Sequence, residues 1–326
     1  MAQQVGPVTR EDLVDRRSRL ERSLASQPGD PQFSRLIREV DSALERMAAG
    51  TYGLCEVCHE AIEEERLAAD PLLRFCIDHL SAVQRDALSS DLALAAQIQR
   101  GLLPPPGFRA AGWEADYLYQ PANVVGGDYC DLLAHGGGLY FAVGDVSGKG
   151  VAAGFQMAHL HAAFRALVAQ GLALPWIMAQ ANRIFCESSP GNRFATLACG
   201  RADGKGEIEI GIAGHTPALV LRGGEVETVA STGLPIGMFC AEEFPTRKLQ
   251  LAPGDALLLY SDGLTEAQDP SGEEYGLERL VASLRAFPGR SPGEIVSGCL
   301  AGLDGFRQMQ AQNDDLTILA LRREKG

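Results

Sequence analysis

The chain has no apolar run approaching the ~20 residues that span a bilayer, and its N-terminal stretch Met1–Arg10 lacks the apolar core of a signal peptide. Both absences point to a cytoplasmic protein without a membrane partner. Positive charge is also scarce. Lys and Arg total 29 against 42 Asp and Glu, a net charge of −13, which argues against direct nucleic-acid binding. There is no internal repeat and no low-complexity segment. Eight cysteines are present, but chain length and the missing signal argue against a disulfide framework. Cys130, Cys186, Cys199, Cys240 and Cys299 stand in mostly apolar contexts and read as buried thiols. With 326 residues, 46% hydrophobic and 22% charged, the chain has material for two globular domains.

Leu13, Leu20 and Leu24 recur at helical spacing over 9–26, as do Phe33, Leu36, Ile37, Val40, Leu44 and Met47 over 32–49. The break Gln27-Pro28-Gly29-Asp30-Pro31 between them predicts a helical hairpin. Leu88, Leu92, Ala95, Ile98 and Leu102 predict another helix over 81–103, stopped by Pro104-Pro105-Pro106. Beyond it come short strand-like runs: 114–120, 139–143, 195–200, 207–213, 218–221, 256–260 and 316–321. Helix pairs are expected at 151–170 with 175–187, and at 277–284 with 292–310. Strands interrupted by helix pairs predict an α+β class with antiparallel sheets. The domains expected are 1–80, a linker helix at 81–103, and 104–326.

Cys55-Glu-Val-Cys58 is followed, after seventeen intervening residues, by Cys76-Ile-Asp-His79. Two tight turns presenting two soft ligands each complete a tetrahedron around Zn²⁺, with no position open for a substrate. His59 is an alternative fourth ligand. The stretch Arg46-Met-Ala-Ala-Gly-Thr-Tyr-Gly-Leu-Cys55-Glu-Val-Cys58, with Arg66-Leu and Arg74-Phe-Cys76-Ile-Asp, resembles the DksA/TraR zinc finger over about residues 10–85. The chain departs from that pattern in having His79 where the family commonly has Cys. Its hairpin arms, at about 27 Å, are short, and Asp30 is a single acid at the tip where members acting on RNA polymerase have a pair. An RNA polymerase contact, a protein-interaction role and a homodimer through the linker helix are the expectations this leaves.

Four acidic turns lie beyond residue 125: Gly126-Gly127-Asp128, Gly144-Asp145-Val146-Ser147-Gly148-Lys149-Gly150, Ser261-Asp262-Gly263 and Asn313-Asp314-Asp315. Carboxylates at the mouths of buried strands are costly to desolvate unless a counter-charge is present. Gathered together, they suit a pair of hard divalent ions, Mn²⁺ or Mg²⁺, that deliver an activated water to a phosphoester. Gly144–Gly150 fails the phosphate-loop spacing, with three residues between Gly144 and Gly148 and Gly150 after Lys149. A cyclase reading of Gly126-Gly127-Asp128 finds Tyr129-Cys130 next and no other support.

In order, Ala95-Ala-Gln-Ile-Gln99 to Pro104, Val125–Asp131, Gly144–Gly150, Phe194–Leu197, Ala213–Pro217, Gly233–Gly237, Tyr260–Glu266 and Asn313–Thr317 resemble the SpoIIE/RsbU branch of the PPM serine/threonine phosphatases, over about 91–322. The resemblance implies a PPM-type α/β/β/α sandwich with its metal site at one end. It implies two Mn²⁺ or Mg²⁺ held by Asp128, Asp145, the Val146 carbonyl, Asp262 and Asp314, with Asp145 and Asp128 at the reacting centre and Asp145 shared between the ions. Asp315 is expected to orient the site. Asp131 reads as a supporting or a purely structural carboxylate, Lys149 as a phosphate contact or a solvated lysine, and His215 as a general acid or a structural histidine. The implied substrate is a phosphoserine or phosphothreonine on a STAS-domain anti-sigma-factor antagonist, with the zinc module and linker helix as regulators. A polymerase-binding module carrying a vestigial phosphatase is the alternative.

Overall fold

The computed structural model describes every residue except 1–8, 27–30, 80, 81, 190–192, 286–289, 309 and 326. The hairpin tip, including Asp30, lies outside the described residues. The chain divides into two compact units, Met1–Asp91 and Leu92–Gly326. No helix among the described residues is long and apolar enough to cross a membrane.

In the first unit, α1 (Arg10–Ser26) and α2 (Pro31–Ala48) pair through Leu13, Val40 and Ala43, all buried. The Arg17 guanidinium reaches Asp41 at 2.6 Å across the pair. The zinc-type turns follow, with α3 (Glu64–Ala69) between them and a single 3₁₀ turn at Ile77–His79. Arg46 donates to the carbonyls of Leu73 and Leu72, at 2.8 and 3.3 Å, and the Tyr52 hydroxyl donates to the Pro71 carbonyl at 2.9 Å. These bonds fasten the turns to the base of the hairpin.

The helix α4 (Ala82–Leu102) carries residues of both units. After it come β1 (Phe108–Ala110), β2 (Trp113–Gln120), β3 (Asp128–His135), β4 (Gly138–Val146), α5 (Val151–Val168), α6 (Leu174–Ser188), β5 (Ala195–Asp203), β6 (Glu207–Ala213), β7 (Ala218–Arg222), β8 (Glu225–Val229), β9 (Arg247–Gln250), β10 (Ala256–Tyr260), α7 (Asp262–Thr265), α8 (Gly276–Arg285), α9 (Pro292–Arg307) and β11 (Leu316–Arg323). One sheet runs β1-β2-β11-β10-β7-β8 and the other β3-β4-β5-β6-β9, antiparallel throughout. Phe141, Val143, Ile210 and Ile212 of the second sheet meet Leu257, Leu259, Leu319 and Leu321 of the first in a fully apolar middle layer. Each such side chain contributes about 1.5–3 kcal/mol on burial. The Trp113 indole N–H ties the sheets together by donating to the Asp203 carbonyl at 2.7 Å. Helices α5 and α6 cover the outer face of one sheet, and α8 and α9 that of the other. The architecture is the expected α/β/β/α sandwich.

Four strands escaped the hydrophobic pattern: β1, β3, β8 and β9. The important one is β3, where Asp128 and Asp131 interrupt the two-residue alternation although both are buried. One expectation is overturned. Cys186 and Cys240 are not separate buried thiols but a disulfide, with Cα atoms 5.7 Å apart across 54 residues of sequence. Cys130, Cys199 and Cys299 are free and buried, as expected.

Candidate active site

Strand ends of both sheets converge on the acidic turns. The Gly136-Gly137 turn between β3 and β4 has both residues at positive φ (56° and 72°), the backbone of a tight hairpin. That turn sets the register in which Asp128 and Asp145 stand directly opposite each other. From the other sheet, β10 leads into Ser261 and Asp262, and Asp314-Asp315 lead into β11. Alternation along β11 turns Thr317 to the side of Asp315, and the Thr317 hydroxyl donates to Asp128 Oδ2 at 2.5 Å. Gly127 is required by close approach, since a Cβ there would stand 2.9 Å from the Val146 carbonyl oxygen and 3.4 Å from Asp145 Oδ1.

Three of the carboxylates are raised by burial and by their neighbours. Burial, then the charge of Asp145, raises Asp128 well above the usual carboxylate range, against hydrogen bonds from Thr317 and Ser261. Burial, then Asp262, Asp314 and Asp315, pushes Asp145 up to about 7, with Lys149 opposing. Burial and Asp314 raise Asp262. Such mutual elevation marks a site short of positive charge. The donors are all oxygen, the chemistry of a hard divalent cation, so the residues present fit Mn²⁺ or Mg²⁺.

Asp315 is committed elsewhere. Its two oxygens accept from the backbone N–H of Ala122 at 2.7 Å and of Gly127 at 2.6 Å, clamping the loop that leads into Asp128. Asp314 is engaged from two sides, by the Asp315 N–H at 2.9 Å and by Lys149 Nζ at 2.9 Å. Lys149 also donates to the Asn313 carbonyl at 2.8 Å, so its ammonium neutralises part of the acidic cluster. Asp131 stands apart. Arg165 of α5 grips it with two bonds of 2.8 and 2.7 Å, and the Leu132 N–H adds a third of 2.8 Å. It anchors α5 to β3. His215 is buried, shares a 2.7 Å hydrogen bond with Thr196 Oγ1, and is lowered to about 4 by burial. A neutral buried imidazole does not serve as a general acid near pH 7.

Two neighbours carried no predicted role. Gln99 of α4 is buried and holds both backbone groups of Gly126, donating to its carbonyl at 2.7 Å and accepting from its N–H at 3.0 Å. The Tyr119 hydroxyl is buried without a hydrogen-bond partner, beside Asp128 and Asp315, whose charges add to the effect of burial in raising it. Gln99 has a sequence signal as a polar residue on the apolar stripe of α4. Tyr119 has none.

In the first unit, Cys55, Cys58, Cys76 and His79 offer ligand atoms that all lie within 4.8 Å of one another. Cys76 Sγ and His79 Nδ1 are 3.1 Å apart. His59 does not belong to this set. The aspartates form no comparably closed set among the described residues.

A family model described as Stage II sporulation protein E (SpoIIE) matches residues 135–324, and one for the prokaryotic dksA/traR C4-type zinc finger matches residues 50–78. The first span includes Asp145, Asp262 and Asp314 but begins after Asp128. The second ends one residue before His79. Protein IcfG of Synechocystis sp. is 28% identical over 265 residues, covering 72% of this chain and 41% of its own length. The chain therefore spans less than half of that relative. Phosphoserine phosphatase RsbU of Bacillus subtilis is 23% identical over 250 residues, 75% of this chain and 73% of its own. Among solved structures, the SiaA-PP2C domain of Pseudomonas aeruginosa aligns with a TM-score of 0.65 at 23% identity, over 74% of this chain and 98% of that one, a likeness of fold.

Proposed function

The chain belongs to the SpoIIE family of PPM-type phosphatases, and from that premise we propose that it is a metal-dependent protein serine/threonine phosphatase. Asp128, Asp145, Asp262, Asp314 and the Val146 carbonyl would hold two Mn²⁺ or Mg²⁺. Bound there, the ions would supply a nucleophilic water and neutralise the phosphoryl oxygens. The rest belongs to the chain. Thr317 fixes one oxygen of Asp128. Asp315 holds the Gly127 loop in position. Lys149 stands at the exposed mouth, where its ammonium pairs with Asp314 and neutralises part of the acidic cluster. The observation that carries the reading is the convergence of these carboxylates from both sheets, where burial and neighbouring charge raise Asp128, Asp145 and Asp262.

The proposed substrate is a phosphoserine or phosphothreonine on a STAS-domain anti-sigma-factor antagonist, in line with the phosphoserine phosphatase name of RsbU. Cys55, Cys58, Cys76 and His79 would hold one structural Zn²⁺, since four protein ligands leave no open position. Regulation is assigned to the zinc module acting through α4, whose Gln99 grips Gly126 next to Asp128. The test is phosphate release with and without Mn²⁺, for wild type and Asp145→Asn. The expected result is Mn²⁺-dependent release that falls by about 10³-fold or more in the variant. Equal, metal-independent rates would refute the reading.

A further inference from the structure

Outside the zinc-type set and the three buried thiols, the remaining cysteines are Cys186 and Cys240, joined as a disulfide. Cys186 lies in the last turn of α6 and is partly exposed, while Cys240 is exposed. Cys240 belongs to the segment 233–244, which has no helix or strand of its own. Noncovalent ties hold that segment to α6. Asn182 accepts from the Gly237 N–H at 2.7 Å and donates to the Phe239 carbonyl at 2.9 Å.

The segment borders the acidic site. Ile236 and Ala195 exchange two backbone hydrogen bonds of 2.8 Å. Ala195 stands opposite Val146 in the β4–β5 register, and the Ser147 N–H donates to the Phe194 carbonyl at 2.9 Å. The same segment exposes Leu234, Met238 and Phe239, which are 44%, 44% and 56% exposed, and Phe194 adds another 37%. Apolar side chains held open beside a catalytic cleft are what a protein substrate packs against.

We infer that Cys186–Cys240 is a thiol–disulfide modification site that sets the order of segment 233–244, and with it the enzyme's hold on a phosphoprotein. The inference rests on the phosphatase reading for its functional half only. The co-reactant is a small thiol or its disulfide. In reduction, a thiolate attacks the exposed Cys240 Sγ, the intramolecular S–S bond breaks, and Cys186 leaves as a thiolate that takes a proton. A second thiol attacks the mixed disulfide, Cys240 leaves likewise, and the two exogenous sulfurs depart as one disulfide. Two electrons and two protons have then moved onto the protein. Oxidation is the reverse. An exposed disulfide of this kind is accessible to exchange, whereas Cys130, Cys199 and Cys299 are shielded by burial.

The experiment uses the full chain, equilibrated in glutathione disulfide or in excess glutathione. Peptide mapping reads the Cys186–Cys240 link, hydrogen exchange reads residues 233–244, and Mn²⁺-dependent turnover is measured on p-nitrophenyl phosphate and on phosphorylated casein. The oxidised chain should show the link. Reduction should speed exchange in 233–244 by about tenfold or more. The KM for phosphocasein should rise by about threefold or more, while kcat for the small ester changes little. The Cys186→Ser/Cys240→Ser double variant should match the reduced state under both conditions, and any redox response left in it belongs to the zinc-type cysteines. No link in glutathione disulfide, equal exchange in both states, or equal phosphocasein KM would overturn the inference. Failure of both substrates to turn over would instead overturn the phosphatase reading, with linkage and exchange still deciding the modification site.

Discussion

The two ligand clusters of this chain are built on opposite physical terms. Cys55, Cys58, Cys76 and His79 close to within 4.8 Å, with Cys76 Sγ and His79 Nδ1 in hydrogen-bond contact at 3.1 Å. Asp128, Asp145, Asp262 and Asp314 are drawn together by strand ends, and burial and neighbouring charge displace the protonation of Asp128, Asp145 and Asp262 upward. The supporting structure differs too. Around the cysteines the buried cluster is only Cys55, Ile62 and Cys76, two of them ligands. Behind the aspartates stands the full middle layer of a two-sheet sandwich. On the reading proposed above, the soft site would draw its fold from its ion, whereas the hard site folds on the sandwich and would need its ion only to work.

Removing metal should break the two regions apart most sharply. A module whose core is its own ligand set draws on the order of 10 kcal/mol of folding free energy from Zn²⁺. Prolonged chelation, or Cys76→Ser, should therefore open residues 50–79 to protease. The same chelation should leave the sandwich protected while abolishing phosphate release. Equal protection of both regions after complete metal removal would end the distinction.

The next test compares aspartates with each other. Asp131→Asn removes the buried charge that Arg165 pairs with and should cost about 1 kcal/mol, since the guanidinium left without its counter-ion is partly solvated. Asp262→Asn should do the reverse in the metal-free chain. It relieves repulsion at Asp145 and should stabilise by about 1 kcal/mol while activity is lost. Urea unfolding without Mn²⁺ reads both signs. If both variants destabilise alike, the acidic turns are ordinary structural turns.

Much of this was legible in the sequence. The glycine-flanked aspartates and the paired Cys/His turns are local signals, since the chemistry requires those residues at those spacings. The α+β class followed from strand runs interrupted by helix pairs, and the sandwich from the resemblance to the phosphatase family. What stayed hidden depends on contacts remote in sequence. Asp131 disguised β3 because its partner Arg165 lies 34 residues away on another element. Asp315 reads as a third acid at one turn, but its oxygens clamp backbone nearly two hundred residues earlier. Cys186 and Cys240 look like scattered apolar thiols until the end of α6 and segment 233–244 meet. Tyr119 is one aromatic among several in β2, and only its unpartnered hydroxyl beside Asp128 gives it meaning.

His215 separates structural burial from catalysis. Its folded value near 4 lies below the ordinary 6.5, so the unfolded chain binds the extra proton first as pH falls. The stability of the fold that depends on a neutral imidazole is therefore fully present above about pH 6.5 and is lost progressively as pH falls to about 4. The difference between wild type and His215→Gln should amount to about 2 kcal/mol of added acid sensitivity between pH 7 and pH 5. Thermal unfolding at the two pH values measures it. A variant with the same pH slope as wild type would place the imidazole in contact with solvent.

The smallest effect falls on Lys149, and it bears most directly on why the aspartate set stays open. Its ammonium pairs with Asp314 at 2.9 Å and lowers Asp145 through space, so it already plays a weak cation's part. Both partners are half exposed, so the pair should stabilise the fold by less than about 1 kcal/mol. Lys149→Ala should leave unfolding nearly unchanged and lower the half-saturating Mn²⁺ concentration by about threefold at low ionic strength, as an internal competitor for Asp314 is removed. The gain should shrink at about 0.5 M salt, because the exposed charge is screened there. A rise in KM for p-nitrophenyl phosphate with unchanged Mn²⁺ dependence would assign the lysine to the phosphoryl group instead, and the open geometry of the aspartates would then owe to their own repulsion alone.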